Sequence, residues 1–186
     1  GTIFGAMSRR PELHSPAGSL DAVRAAVANG ADAVYLGVEK FNARDEGAQL
    51  TVTELEQACA IAHGGGARVY LTLNILIKPH EMEDALTHLG ACIDAGVDAA
   101  IVQDVGLIRL IQQVYPGFEI HGSTQMTVHD ASGAAVMKEL GVDRVVLARE
   151  NTLDDIRAIH AAVPGLGLES FVHGALCIAY SGQCFM

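Results

Sequence analysis

Short β-branched runs alternate along this chain with longer stretches in which apolar residues return every three or four positions. The runs Glu12–Ser15, Ala33–Leu36, Arg68–Asn74, Ala99–Gln103, Glu119–Ser123, Arg144–Ala148 and Leu168–Val172 predict seven strands. The stretches Ser19–Asn29, Thr53–His63, Glu81–Ala95, Gly106–Val114, Ala131–Leu140 and Thr152–Ala161 predict the helices between them. Ser19 and Thr53 stand where an N-cap belongs, and Thr152 with Asp155 resembles a capping box. Glycine follows several helices, as at Asn29-Gly30, Ala95-Gly96 and Leu140-Gly141. This alternation is the mark of parallel βα units.

The chain also repeats itself. Gly30-Ala31-Asp32-Ala33-Val34-Tyr35-Leu36, Gly66-Ala67-Arg68-Val69-Tyr70-Leu71, Gly96-Val97-Asp98-Ala99-Ala100-Ile101 and Gly141-Val142-Asp143-Arg144-Val145-Val146 are four versions of one helix end, turn and strand, spaced 30–45 residues apart. A repeat built from one βα unit suits an α/β fold of the (β/α) TIM-type barrel kind, with a doubly wound open sheet as the alternative on pattern alone. Seven strands are countable, so the barrel is expected to be incomplete, open, or completed by a neighbouring chain in a homo-oligomer.

Composition narrows this picture. A chain of 186 residues, half of them hydrophobic, is most simply one domain with one core. No apolar run approaches the roughly 20 residues that span a membrane, and no charged-then-apolar leader is visible. Four cysteines, with Cys59 and Cys92 inside helical patterns, do not resemble a secreted disulfide framework, so a reducing cytoplasm is the expected compartment. Residues 1–10 do not join the periodic pattern and are read as an appended scar plus lead-in, leaving 11–186 as the barrel domain. The net charge of −10 argues against a broad nucleic-acid footprint but does not exclude RNA as a substrate.

In (β/α) barrels the site assembles at the C-terminal ends of the strands. Those ends carry a convergent polar set: Ser15; Glu39 and Arg44; Asn74; Gln103 and Asp104; His121, Ser123 and Gln125; Arg149 and Glu150; and His173 with the cysteines. The N-terminal ends carry Gly, Ala and Asp, and Asp32, Asp98 and Asp143 are expected as turn residues. Cys59 and Cys92 are expected as buried apolar residues, and His63, His88 and His160 as solvated or capping groups on helices. His80 with Glu81 and Glu83 lacks the second histidine of a zinc-protease helix, and Gly64-Gly65-Gly66 is a turn without a phosphate-loop lysine. After the last strand, His173, Cys177, Tyr180, Ser181 and Cys184 are interleaved with Gly174 and Gly182. Cys177 and Cys184, in a flexible loop, can turn toward one point, and thiolates are preferred ligands of iron–sulfur clusters and zinc.

The stretch E-x-F-V-H-G-A-x-C-x-x-x-Y-S-G-x-C at Glu169–Cys184 resembles the signature of the collagenase-like peptidases, peptidase family U-32. Pro11-Glu12-Leu13, Ser15-Pro16-Ala17-Gly18, Gly30–Gly37, Phe41-Asn42-Ala43-Arg44, Gln103–Leu107 and Ala148-Arg149-Glu150 agree with it in order, so the resemblance covers about residues 11–186. It tips the fold to a barrel, an N-terminal catalytic domain that stops just after the signature. The family label implies a cysteine-type or metal-assisted peptidase acting on peptide or collagen, with Cys177 as nucleophile and His173 or His121 as base. Other members are implied in oxygen-independent hydroxylation of tRNA, rRNA or the ubiquinone ring. In these the signature cysteines resemble ligands of a four-iron four-sulfur cluster, so Cys177 and Cys184 would be two of four, with the others past Met186. The hydroxylase reading accounts for both cysteines and is favoured, and a non-catalytic assembly subunit is a third option. It assigns catalysis to Arg149, Glu150, His173 and Asp104. Binding of RNA and of a small anionic hydroxyl donor falls to Arg44, Asn74, His121, Ser123, Gln125 and Tyr180.

Overall fold

The computed structural model describes residues 10–39, 41, 49–174, 177 and 179–181. Seven strands, β1 (His14–Pro16), β2 (Ala33–Leu36), β3 (Arg68–Leu73), β4 (Ala99–Val102), β5 (Glu119–Gly122), β6 (Arg144–Val146) and β7 (Gly167–Glu169), form one sheet. All neighbours pair in parallel. Six helices lie between them: α1 (Leu20–Ala28), α2 (Val52–Gly64), α3 (Met82–Asp94), α4 (Val105–Val114), α5 (Ala131–Glu139) and α6 (Leu153–Ala162). Strand order in space equals strand order in sequence. A doubly wound sheet reverses direction at a switch point; this sheet never does, so it curls in the barrel sense.

The curl gives each strand two faces of different character. Val34, Leu36, Val69, Leu71, Leu73, Ala100, Val102, Ile120 and Val145 pack outward among the helices in the main core. Ala33, Tyr35, Tyr70, Ala99 and Ile101 form a second, smaller cluster on the other face, which is the barrel interior.

Boundaries shifted by a residue or two where a cap outranks hydrophobicity. The N-cap of α2 is Thr51, not Thr53: its hydroxyl accepts from Glu54 N–H while Glu54 returns a carboxylate to Thr51 N–H. Ser19 and the Thr152/Asp155 box cap α1 and α6 as the sequence predicts. At the end of α2, Gly65 has no room for a side chain, because a Cβ there would lie 2.1 Å from Val27 Cγ1. The lead-in meets the barrel at Arg10, whose guanidinium holds both Asp32 oxygens.

The three aspartates ahead of β2, β4 and β6 do more than turn the chain. Asp32 carboxylate accepts from Leu13 N–H at 2.8 Å, Asp98 from Val69 N–H at 2.7 Å and Asp143 from Ile120 N–H at 2.9 Å. Each Asp N–H in turn donates to the carbonyl of that same residue. Every one therefore latches the strand it begins to the strand before. Asp98 Oδ2 also takes His63 Nε2 at 2.8 Å, so His63 is tied to the sheet rather than merely solvated. Asp143→Ala is expected to lower stability by about 1–3 kcal/mol, since it strands the N–H of buried Ile120. A lower urea midpoint at unchanged m-value checks this. Asp154→Ala, which removes only an exposed helix pair, should move it far less.

Candidate active site

Side chains that point inward near the C-terminal ends of the strands line a cleft at the barrel mouth: Tyr35 from β2, Thr72 and Asn74 from β3 and its end, Ile101 from β4, Ser123 and Thr124 after β5, Val146 from β6, and Glu169 and Phe171 from β7 and its extension. A larger hollow, bounded by Gly18, Asp21, Arg24, Gln49 and Glu54, sits outside the barrel between the starts of α1 and α2 and holds none of the expected site residues. The mouth, where all strands converge, is where chemistry can be concentrated.

Beneath the mouth the barrel interior is charged. Glu119 is gripped by Arg68 at 2.6 Å and by His121 Nε2 at 2.6 Å. Burial alone would raise the Glu119 carboxyl, but these two donors hold it below the ordinary range. His121 is fully buried, and burial pushes its basicity down despite Glu119, so the neutral Nε2–H tautomer donates to the carboxylate. Tyr70 stands edge-on to His121 at 4.7 Å and to His14 at 5.3 Å between ring centroids, with Arg68 and Arg144 over its face. Arg144 reaches across to β1, giving 2.9 Å to Glu12 Oε2 and 2.9 Å to His14 Nε2.

The stretch after β7 is clasped to the loops after β5 and β6 through one residue. Ser181 is buried; its hydroxyl accepts from Arg149 N–H at 2.9 Å, its N–H donates to Glu150 Oε1 at 2.9 Å, and its carbonyl accepts from Thr127 Oγ1 at 2.6 Å. The Ser181 N–H, foremost, holds the Glu150 carboxyl below its usual range. Arg149 meanwhile stacks over the Phe171 ring at 4.4 Å. The two adjacent residues thus do not pair with each other; Glu150 fixes the loop and Arg149 presents its charge on an aromatic face. Glu150→Ala is expected to weaken protection of the Ser181 amide against hydrogen exchange roughly tenfold, about 1.4 kcal/mol of local stability. Exchange at Asp143, remote from the clasp, should not change.

The expected residues separate into those the fold brings to the mouth and those it does not. Asn74 and Ser123 line the cleft, with Gln125 hydrogen-bonded to Ser123 at its edge. His173, Cys177 and Tyr180 are exposed on the loop above it. His121, expected at the rim, lies inside the barrel with its side chain committed to Glu119, because its position within β5 turns it inward below Ser123. Asp104, expected to react, is a backbone holder: Oδ1 caps α4 at Leu107 N–H (2.8 Å) and Oδ2 accepts from Ile77 N–H (3.2 Å). Arg44 and Cys184 lie outside the described residues. Cys59 and Cys92 are buried in α2 and α3, and burial pushes both thiols up to about 12. No group of three His, Cys, Asp or Glu side chains among the described residues is placed to hold a metal ion. Sequence reasoning passed over Thr72, Glu169 and the charged interior of Glu12, His14, Arg68, Glu119 and Arg144. Their signal was the inward alternation His14, Arg68-x-Tyr70-x-Thr72, Glu119-x-His121 and Arg144, polar at every second position of otherwise apolar strands.

A parallel, singly wound sheet with a polar mouth and a cysteine-bearing loop clasped above it defines a (β/α)-barrel of the enzyme-bearing kind. The chain belongs to peptidase family U32, whose model matches residues 18–186. It is 41% identical over 179 residues to the 23S rRNA 5-hydroxycytidine C2501 synthase of Escherichia coli, covering 96% of this chain and 27% of that protein. It is 38% identical over 180 residues to tRNA hydroxylation protein P1 of Bacillus subtilis, covering 97% of this chain and 42% of that one. The chain therefore spans only about a quarter to two fifths of these relatives' length. Among solved structures, a U32 peptidase superposes with a TM-score of 0.70 at 15% identity, over 91% of this chain and 72% of the other, which supports the barrel fold. Among the described residues no helix is long and apolar enough to cross a membrane.

Proposed function

We propose that this chain is the barrel portion of an oxygen-independent RNA hydroxylase that works in the cytoplasm on tRNA or rRNA. The observation that carries the reading is the Ser181 clasp. It holds the loop bearing Cys177 against the strand ends that frame the mouth, with the thiol exposed. The similarity to proteins named for tRNA hydroxylation and rRNA hydroxycytidine synthesis supports the same substrate class.

Cys177 has the chemistry of a cluster ligand: an exposed thiol, softer than any oxygen ligand, on a loop fixed by neighbours rather than by its own helix. With Cys184 it would hold two corners of a four-iron four-sulfur cluster. Cys59 and Cys92 do not fit, being buried with strongly raised thiol basicity. Such a cluster, when bound, supplies electron transfer or a Lewis-acidic iron. The chain's own residues do the rest. Arg149, held over Phe171, offers a fixed positive charge to a small anionic hydroxyl donor, and Asn74 and Ser123 offer an amide and a hydroxyl to a nucleobase edge. Tyr180, three-quarters exposed, offers a ring on which an unpaired base can stack.

The family description keeps a peptidase as the second reading, favoured by the exposure of both Cys177 and His173. It ranks lower because no hydrogen bond joins these two among the described residues, and a cysteine nucleophile needs its base in reach. Iron and acid-labile sulfide should be measured on the full-length protein purified without oxygen, with mass spectrometry of cellular RNA in strains with and without the gene. About four irons per chain and a missing hydroxylated nucleoside support the proposal. No iron, with a trappable thiol required for peptide cleavage, replaces it with the peptidase.

A further inference from the structure

Glu169 is the only carboxylate among the described residues that line the mouth. Its Oε2 is shielded from solvent and lies 3.1 Å from His14 Nδ1. The other ring nitrogen of His14, Nε2, lies 3.1 Å from Glu12 Oε2. The His14 side chain is 8% exposed and that of Glu12 is 49% exposed. One imidazole thus stands between a carboxylate that faces the mouth and a carboxylate that meets water at the start of β1. A purely structural ion pair does not need a histidine with an acid on each nitrogen and an outlet to solvent.

We propose that Glu169 is the acid–base residue of the mouth and that His14 relays protons between it and Glu12. In one turn of the relay, the Glu169 carboxyl gives its proton to a bound substrate atom. The Nδ1–H of the neutral His14 ring then restores that proton while Nε2 takes one from the Glu12 carboxyl, water reprotonates Glu12, and the ring, left as its Nε2–H tautomer, exchanges back to Nδ1–H before the next turn. Each transfer breaks one bond to hydrogen and forms another; no electrons change hands, and the reverse sequence removes a proton from substrate.

Arg144 makes the relay reversible. Its Nη1 lies 2.9 Å from His14 Nε2, a contact that suits the neutral ring with a lone pair at Nε2, whereas the protonated ring turns an N–H to Glu12. Arg144 therefore opposes lasting protonation, while its Nη2 stays on Glu12. The groups facing His14 are Glu12 on its own strand, Arg144 from β6, Glu169 from β7, the Tyr70 ring from β3, and more distantly Asp32 ahead of β2. Burial works to lower the basicity of His14, but Glu169 and Glu12 outweigh it and raise it above the ordinary histidine value.

The proposal rests on the mouth being where substrate reacts, and not on the cluster. In full-length protein, Glu169→Gln is expected to lower kcat for RNA hydroxylation by about 10²–10⁴-fold with RNA affinity nearly unchanged. His14→Gln should lower kcat less and remove the limb of the pH profile that titrates above the ordinary histidine value. If Glu169→Gln keeps kcat and its pH profile while wild-type protein hydroxylates RNA, the proposal is overturned and the functional reading stands. If wild-type protein modifies no RNA, the functional reading falls, and ¹⁵N titration of His14 by NMR still decides the relay. A His14 basicity that drops in both Glu169→Gln and Glu12→Gln supports it; one that ignores Glu169→Gln overturns it.

Discussion

If the protein holds the proposed cluster, full-length protein carrying Cys177→Ser is expected to lose iron and RNA hydroxylation while keeping its fold. A serine hydroxyl is a hard, weakly acidic oxygen that does not replace a thiolate on iron. The side chain at 177 is exposed, so the substitution should change stability by no more than about 0.5 kcal/mol. Cys59→Ser and Cys92→Ser should behave in the opposite way. Both thiols are buried in the main core, Cys92 with His88 Nε2 3.8 Å from its sulfur, so each serine buries a more polar group and should cost about 1–3 kcal/mol, with iron untouched. Iron and sulfide content, the visible spectrum, nucleoside mass spectrometry and a thermal melt separate the two cases. Full iron in the Cys177→Ser protein would remove Cys177 from the ligand set.

Arg144→Ala should be the most damaging single change to the fold itself, costing about 3–5 kcal/mol, the range for removing one partner from a buried charge network. It leaves Glu12 and Glu169 facing His14 without their cation and uncovers one face of Tyr70. Arg24→Ala, by contrast, removes an exposed pair three residues apart on α1 and should cost well under 1 kcal/mol. The damage should also depend on pH. Burial raises the Glu12 carboxyl, but His14 and Arg144 more than offset this and hold it below its ordinary value. Its contribution is therefore present above the unfolded glutamate range and lost as pH falls through the folded value. The gap between wild type and Arg144→Ala should accordingly narrow in acid. His14, raised in the folded state, works the other way: its contribution is complete below the ordinary histidine value and is lost as pH rises through the folded one. Denaturant midpoints at acidic, neutral and mildly alkaline pH check both signs.

The barrel was legible because each level of the sequence agreed. Apolar periodicity placed all six helices, the repeat Gly-x-Asp placed strand starts, and Ser19 and Thr152 marked helix entries that the structure retains. The strands read too long at their C-terminal ends, β6 by Leu147 and Ala148 and β7 by residues 170–172, because apolar residues there pack in loops beyond the ladder or face solvent, as Val172 does. The site was half legible. Asn74 and Ser123 were legible as cleft-lining residues because they follow strands. Glu169 was not, since a glutamate inside a strand reads as a solvated face until the curl of the sheet turns that face inward. Asp104 stands at a strand end in the sequence, and only the fold reveals that both of its oxygens are spent on backbone N–H groups.

The carboxylates of Asp32, Asp98 and Asp143 fasten β1 to β2, β3 to β4 and β5 to β6, whereas β3 is tied back to β2 by a hydroxyl, Thr72 Oγ1 donating to the Leu36 carbonyl at 3.1 Å. The aspartate fastenings thus recur in two-strand modules, and their grain runs between them. Thermal opening should follow that grain, module by module. A lineage could likewise lengthen or shorten such a barrel in steps of two βα units, each arriving with its own fastening.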